Sequence, residues 1–159
     1  MRIGFIGLGN VGGKLAGSLQ RNGFDLMVRD LDQQVATPFI DRGAQWAESP
    51  AEMTRQTDMV ITCLPNPSAS AAVMEDQDGI LSEMADGKIW AEMSTTDEHE
   101  VKRLGKQVLA AGGEAIDCPV SGGCHRAATG NISIFVGTDR DTFDRALPVI
   151  SAMGRQILH

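Results

Sequence analysis

The stretch RIGFIGLGNVGGKLAGSLQRNGFDLMVRD, running from Arg2 to Asp30, decides the fold. Arg2-Ile3-Gly4-Phe5-Ile6 is a short apolar run that meets Gly7-Leu8-Gly9-Asn10-Val11-Gly12 at once. Val11, Leu15 and Leu19 then recur at i, i+4 and i+8, the spacing of one helix face. A second apolar run, Phe24 to Val28, stops at Asp30. Strand, glycine turn, helix, strand and acid, in that order, form the layout of a dinucleotide-binding βαβ unit. Without the flanking strand, helix and acid, the same glycines would read as an ordinary tight turn.

Each part has a physical task. Gly7 permits a sharp exit from the strand. Gly9 lets the backbone approach a pyrophosphate, and Gly12 lets the helix pack on the strand. The helix start at Asn10 to Gly13 offers free N–H groups and the positive end of a dipole to phosphates. Asp30 lies 18 positions beyond Gly12, near the spacing of an acid that accepts hydrogen bonds from ribose hydroxyls and repels a 2′-phosphate. This favours NAD over NADP. Arg29 is the competing signal, since arginine can hold a 2′-phosphate. Side chains alternate along a strand, so Arg29 and Asp30 are expected on opposite faces, and Leu31 cannot pair with phosphate.

The length of 159 residues, with 42% hydrophobic and 22% charged residues, suits one globular domain over 1–159. A net charge of −7 without a basic block argues against nucleic acid as a partner. No apolar run is long enough to span a bilayer, and the first strand begins at Arg2, leaving no room for a signal peptide. Cys63, Cys118 and Cys124 form no CxxC pair, so reduced thiols and a cytoplasmic location are expected. Cys118, Cys124 and His125 fit no common zinc spacing, and no metal is expected.

Beyond Asp30 the chain alternates strand and helix without a linker. Gln33–Asp41 reads as a short helix ended by Gly43. Ser49-Pro50-Ala51-Glu52 reads as a capped helix start. Asp58–Cys63 reads as a buried strand ending at Leu64-Pro65, and Pro67-Ser68 opens the next helix. Lys88–Met93 is a strand closing at Ser94-Thr95, with Thr95 and Glu98 as a capping box for a helix whose inner face is Val101, Leu104, Val108 and Leu109. Gly112-Gly113 ends that helix. Glu114–Val120 reads as a strand. Ile132–Val136 reads as a strand covered on both faces, Asp139–Met153 as a helix interrupted at Pro148, and Gln156–His159 as a last strand. The fold class is therefore α/β: a doubly wound, mainly parallel Rossmann-type sheet with helices on both faces.

A second glycine element, Asp117-Cys118-Pro119-Val120-Ser121-Gly122-Gly123-Cys124-His125-Arg126-Ala127, follows a strand. Successive backbone N–H groups at Ser121, Gly122 and Gly123 suit a small carboxylate, although a simple tight loop reads equally well. Gly7-Leu8-Gly9 near the start, combined with Pro119-Val120-Ser121-Gly122-Gly123, resembles the β-hydroxyacid dehydrogenases, of which the 3-hydroxyisobutyrate dehydrogenases are the best-known members. The resemblance runs over essentially all 159 residues and includes Gly43-Ala44, Asp58, Leu64-Pro65, Ser94-Thr95, Ala127, Gly130 and Gly137.

The resemblance implies that Gly7, Gly9 and Gly12 hold the pyrophosphate and Asp30 the adenosine ribose, with Leu8, Asn10 and Val11 also among the cofactor-binding residues. It implies that Leu64 and Pro65 line the nicotinamide side through backbone contacts, that Thr95 also touches the cofactor, and that Ser121, Gly122 and Gly123 bind the carboxylate of a small 3-hydroxyacid or semialdehyde. Family members often carry methionine at Asn10 or Val11 and aspartate at Glu92. They also continue into a helical C-terminal domain whose connecting helix carries a lysine acting as general acid/base. The sequence ends at His159, before that lysine, so the chain alone is expected to bind NAD without turnover. It is also expected to bare an apolar patch near the last strand that favours a homo-oligomer.

None of Lys14, Lys88, Lys102 and Lys106 matches the family lysine. His125, beside the second glycine element, is a better acid/base candidate than His99, and Arg126 could orient a carboxylate. Trp46 and Trp90 read as packing residues. A short NAD-sensing module without chemistry, or the 6-phosphogluconate dehydrogenase and imine reductase branches, are the alternatives. A methyltransferase fits poorly, because Phe5-Ile6 rather than an acid precedes Gly7.

Overall fold

Alternate residues of the strands feed two opposite cores, and this divides the helices into two layers. The computed structural model describes residues 1–159. Its elements are β1 (Ile3–Ile6), α1 (Gly12–Arg21), β2 (Leu26–Arg29), α2 (Thr37–Ile40), β3 (Gln45–Trp46), α3 (Pro50–Gln56), β4 (Met59–Thr62), α4 (Pro67–Glu75), β5 (Ile89–Glu92), α5 (Glu98–Ala110), β6 (Glu114–Asp117), β7 (Val120–Ser121), α6 (Gly123–Ala128), β8 (Ile132–Phe135), α7 (Arg140–Met153) and β9 (Gly154–Leu158). Six strands form one parallel sheet in the order β3-β2-β1-β4-β5-β6. The order runs leftward from β1 and then resumes rightward at β4, so a crevice opens between their C-terminal ends.

On one face Ile3, Phe5, Val28, Ile61 and Ala91 pack with Leu15 and Leu19 of α1 and with Phe143, Ala146 and Ile150 of α7. On the other face Ile6, Met27, Val60 and Trp90 pack with Met53 of α3, Met74 of α4 and Leu104 of α5. Each fully buried side chain of this size contributes about 1.5–3 kcal/mol. Glycines make two of these contacts possible. Gly4 has no room for a Cβ beside Met53, and Gly113 has none beside Met84. No helix is long and apolar enough to cross a membrane.

Several elements differ from the sequence reading. Gln33–Asp41 is not one helix: a 3-10 turn over Gln33–Ala36 precedes α2, where Pro38 occupies the helix start. The strand expected over Glu114–Val120 breaks after Asp117. The Asp117 and Gly137 backbones exchange two hydrogen bonds of 3.1 and 2.8 Å, and Pro119 has no N–H to continue a ladder. The chain then enters a separate three-stranded sheet, β7-β8-β9, in which β7 runs antiparallel to β8 and β9 parallel to it. Strand β8 is covered on one face only, because Phe135 is exposed, as is its cross-strand partner Leu158.

Helix α7 passes through Pro148 without interruption. Both Pro148 and Asp144, whose carbonyl loses its partner, are exposed, so water can satisfy that carbonyl. Leu109 faces solvent rather than the core. Asp97, not Thr95, caps α5, accepting from the Glu100 N–H at 3.0 Å, while the Thr95 hydroxyl donates to the Val120 carbonyl at 3.2 Å.

Phe5→Ala is expected to lower unfolding free energy by about 3–5 kcal/mol, and the exposed Phe135→Ala by no more than about 0.5 kcal/mol, in urea denaturation. Equal losses would contradict this placement of the core.

Candidate cofactor site

The β1–α1 turn is built so that its own backbone lacks partners. Gly7 leaves β1 at φ +96°, and any Cβ there would strike the Cys63 carbonyl. A Cβ on Gly12 would overlap the Gly7 carbonyl oxygen, and one on Gly13 would lie 2.7 Å from the Leu8 carbonyl oxygen. Gly9 is different, since a Cβ there would meet nothing within 4 Å. Its lack of a side chain therefore serves no contact inside the protein. The N–H groups of Gly9, Asn10 and Val11 donate to no protein acceptor. Helix α1 also starts without a side-chain cap, whereas Ser49, Asn66, Asp97 and Asp139 cap α3, α4, α5 and α7. A helix N-terminus with free N–H groups over open space is an anion site in waiting.

At one end of this turn stands Asp30. Its Oδ2 accepts from the Leu8 N–H at 2.7 Å and its Oδ1 from the Asp32 N–H at 3.1 Å. The acid thus holds the glycine turn in place from the neighbouring strand end. Arg29 lines the cleft next to it, and its guanidinium is engaged within the protein: it donates to the carbonyls of Ala47 at 2.9 Å and Glu48 at 2.5 Å, and lies 5.7 Å from the Trp46 ring centroid. Leu31 is fully exposed beside the acid.

The opposite wall comes from the β4–α4 and β5–α5 turns. Leu64, Pro65, Ala69, Ala72 and Val73 supply apolar surface, with Met93, Ser94 and Thr95 behind them. The Leu64 N–H donates to the Ser94 hydroxyl at 2.7 Å. That hydroxyl donates to Oε1 of the buried Glu92 at 2.5 Å, and the Ser70 hydroxyl of α4 donates to Oε2 at 2.9 Å. Burial pushes the Glu92 carboxyl up, against the pull of these donors. Burial also pushes the Cys63 thiol, at the cleft floor, up to about 12, so it is neutral near pH 7.

Together these surfaces enclose a cleft of about 760 Å³. Gly7, Gly9, Asn10, Val11, Asp30, Leu64, Pro65, Thr95 and Gly123 all line it. Leu8 and Gly12 do not: Leu8 is buried beneath the turn and acts through its N–H, and Gly12 is a packing position. Ser121 and Gly122 lie outside the lining, at the adjoining second glycine turn, where Gly122 and Gly123 have φ of +132° and +79°. His125 and Arg126 also lie outside it, and His99 is exposed on α5. Lys88 is spent on the carbonyls of Thr54 and Thr57 at 2.6 and 2.8 Å, and Lys102 pairs with Glu98 at 3.5 Å. Sequence reasoning named Ser94 within the family resemblance without giving it a role at the site, and it missed Ala69, Ala72 and Val73. Ser94 stands next to a residue it did identify, and a lone Glu92 closing the apolar run Ile89-Trp90-Ala91 was the available signal for the network behind it. A smaller hollow of about 480 Å³ over the end of α4 shares no residue with the cleft.

The free N–H groups, the open space at Gly9 and the acid at the β2 end fit a dinucleotide, and the crevice lies where the strand order reverses. Fold and site together define a dinucleotide-binding domain. The chain belongs to the family of the NAD binding domain of 6-phosphogluconate dehydrogenase, whose model matches residues 2–159. It is 36% identical over 157 residues to the mitochondrial 3-hydroxyisobutyrate dehydrogenase of Mus musculus, covering 99% of this chain and 47% of that protein. It is 34% identical to the NAD-dependent L-serine dehydrogenase of Pseudomonas aeruginosa, covering 99% of this chain and 53% of that one. The 3-hydroxyisobutyrate dehydrogenase of Mycobacterium tuberculosis, solved with L-serine, superposes with a TM-score of 0.92 at 28% identity over all of this chain and 54% of that one. The chain thus spans about half the length of the relatives it matches and is an NAD(P)-binding domain.

Gly9→Ala is expected to leave stability within about 0.5 kcal/mol while weakening NADH binding at least about tenfold, measured by thermal melts and fluorescence titration. Gly12→Ala is expected to cost about 1–3 kcal/mol of stability through overpacking. Unaltered NADH affinity in the Gly9 variant would contradict this geometry.

Proposed function

We propose that residues 1–159 act as the cofactor domain of a dehydrogenase that oxidises the hydroxyl of a small 3-hydroxyacid and prefers NAD to NADP. The observation that carries this reading is the set of unpartnered N–H groups at Gly9, Asn10 and Val11, facing the same cleft as Asp30. A diphosphate would satisfy those groups, and ribose hydroxyls would donate to the Asp30 carboxylate. The preference for NAD is supported by three features: an acid that repels a 2′-phosphate, Leu31 next to it, and an Arg29 already engaged by two carbonyls.

The substrate class is supported by the relatives. 3-Hydroxyisobutyrate and L-serine are both small acids bearing a hydroxyl on the carbon β to the carboxylate. In this reading Ser121, Gly122 and Gly123 hold the carboxylate. The Gly122 N–H has no backbone acceptor of its own, and positive φ at two successive glycines turns the peptide groups into a concave donor surface. When bound, the nicotinamide supplies the hydride acceptor. The alcohol proton needs a base; the cleft is lined by no lysine and no histidine, and its one lining acid, Asp30, is taken by the ribose in this reading. Cys63, which does line it, is held neutral by burial. The base therefore belongs to a part of the enzyme outside these residues, and the 159-residue chain binds the cofactor without turnover. The same lack of a base favours a second reading, a dinucleotide-sensing module.

A titration of the chain should give at least about tenfold tighter binding of NADH than of NADPH, and Asp30→Ala should weaken NADH by about tenfold or more. Steady-state assays with 3-hydroxyisobutyrate or L-serine should show no NADH production from the chain alone. Tighter NADPH binding would reject the cofactor preference. Activity restored on adding the helical portion of a relative would separate the dehydrogenase from the sensor.

A further inference from the structure

We propose that Glu92 is a positioning residue for the end of the cleft opposite Asp30, where it fixes the Leu64–Pro65 turn through the Ser94 hydroxyl. This rests on the reading of the cleft as a nicotinamide dinucleotide site. With ribose at Asp30 and diphosphate at Gly9–Val11, the remaining half of the dinucleotide lies along Leu64, Pro65 and Thr95.

Beyond Cys63, whose N–H donates to the Ile6 carbonyl at 3.0 Å, the chain leaves the sheet. Pro65 has no N–H, so the Leu64 N–H is the last donor that can tie the turn down. It has one partner, the Ser94 hydroxyl. A hydroxyl has a single proton, and here that proton goes to Glu92 Oε1. The orientation of the lone pair that receives Leu64 is therefore set by the carboxylate. The Ser94 N–H also donates to Oε1, at 2.9 Å, which holds the serine itself in register. Oε2 takes the Ser70 hydroxyl from α4, the helix whose Ala69, Ala72 and Val73 form the same wall. One carboxylate thus links the end of β5, the β4–α4 turn and α4.

Glu92 has no exposed surface, and no cation is among its partners. Burying a carboxylate costs several kcal/mol before its hydrogen bonds are counted. An apolar side chain of similar size would fill the space without that cost, but it would leave the Ser94 hydroxyl free to turn and the Leu64 N–H without a directed acceptor. The position is thus chemically committed to the turn rather than to packing.

The test uses isothermal titration of the chain with NADH and with ADP-ribose, which lacks the nicotinamide. Glu92→Leu and Ser94→Ala should each lose about tenfold in NADH affinity, with ADP-ribose within about twofold of the parent. Glu92→Gln, which keeps an acceptor oxygen for Ser94, should remain within about threefold for NADH. The double variant Glu92→Leu/Ser94→Ala should lose no more than the weaker-binding single variant, because both act through one hydrogen bond. If Glu92→Leu does not fold, Ser94→Ala and Glu92→Gln make the same distinction. NADH affinity unchanged in Ser94→Ala, a parallel loss of ADP-ribose, or additive losses in the double variant would overturn the role of Glu92 alone. A parent chain that binds neither nucleotide would overturn the cofactor reading and this inference with it.

Discussion

The close approach of Gly7 to the Cys63 carbonyl is the contact on which the site depends. At that point the ends of β1 and β4 come together with no side chain between them. A larger residue would force the two turns apart. Because Gly7 can take positive φ, the chain reverses directly above the sheet and delivers α1 with its first N–H groups over the crevice. Gly12 completes the geometry by letting the helix settle on the turn it has just left. The cleft is a product of backbone approach more than of side-chain chemistry, which explains how an acidic protein of net charge −7 can form an anion site.

Two acids outside the glycine turn keep that backbone arrangement stable. Asp30 holds the turn from the β2 side through the Leu8 N–H. Glu92 braces the opposite wall through Ser94 and Ser70. They differ in environment: Asp30 is half-buried with one side open to the cleft, while Glu92 is enclosed. A ligand can reach the first directly and feels the second only through the turn it supports. The walls between them are mostly apolar, so specificity depends on a small number of directed polar groups.

Much of the fold was legible because the continuous apolar runs of a sheet covered on both faces and the 3.6-residue period of helices leave distinct marks. Ile3–Ile6, Leu26–Arg29 and Met59–Thr62 are short apolar runs bounded by turn residues, and each became a parallel strand. Ser49 and Pro50 marked the start of α3 for the same local reasons seen in the structure. Signals failed where a distant partner decided the outcome. Thr95 looked like a cap until its hydroxyl found Val120. The strand after Glu114 looked continuous until Gly137 paired with Asp117. Pro148 looked like a break, but its missing hydrogen bond falls on the solvent side of α7. At the site, the glycines and Asp30 were readable from spacing. Leu8 and Gly12 belonged to the motif yet act beneath the cleft, and Glu92 was invisible as a partner of Leu64 because the link passes through a third residue.

The layer built on Met27, Met53, Met74 and Met84 has a chemical side effect. Unbranched thioethers fill irregular space well, and Met53 and Met84 sit against Gly4 and Gly113, where even a methyl group would not fit. A sulfoxide oxygen added to either sulfur would be both polar and too large for its niche. Peroxide damage at either sulfur would therefore loosen the α3–α4–α5 side at its glycine niches, while Met59, Met93 and Met153 give the layer under α1 and α7 oxidisable positions of its own.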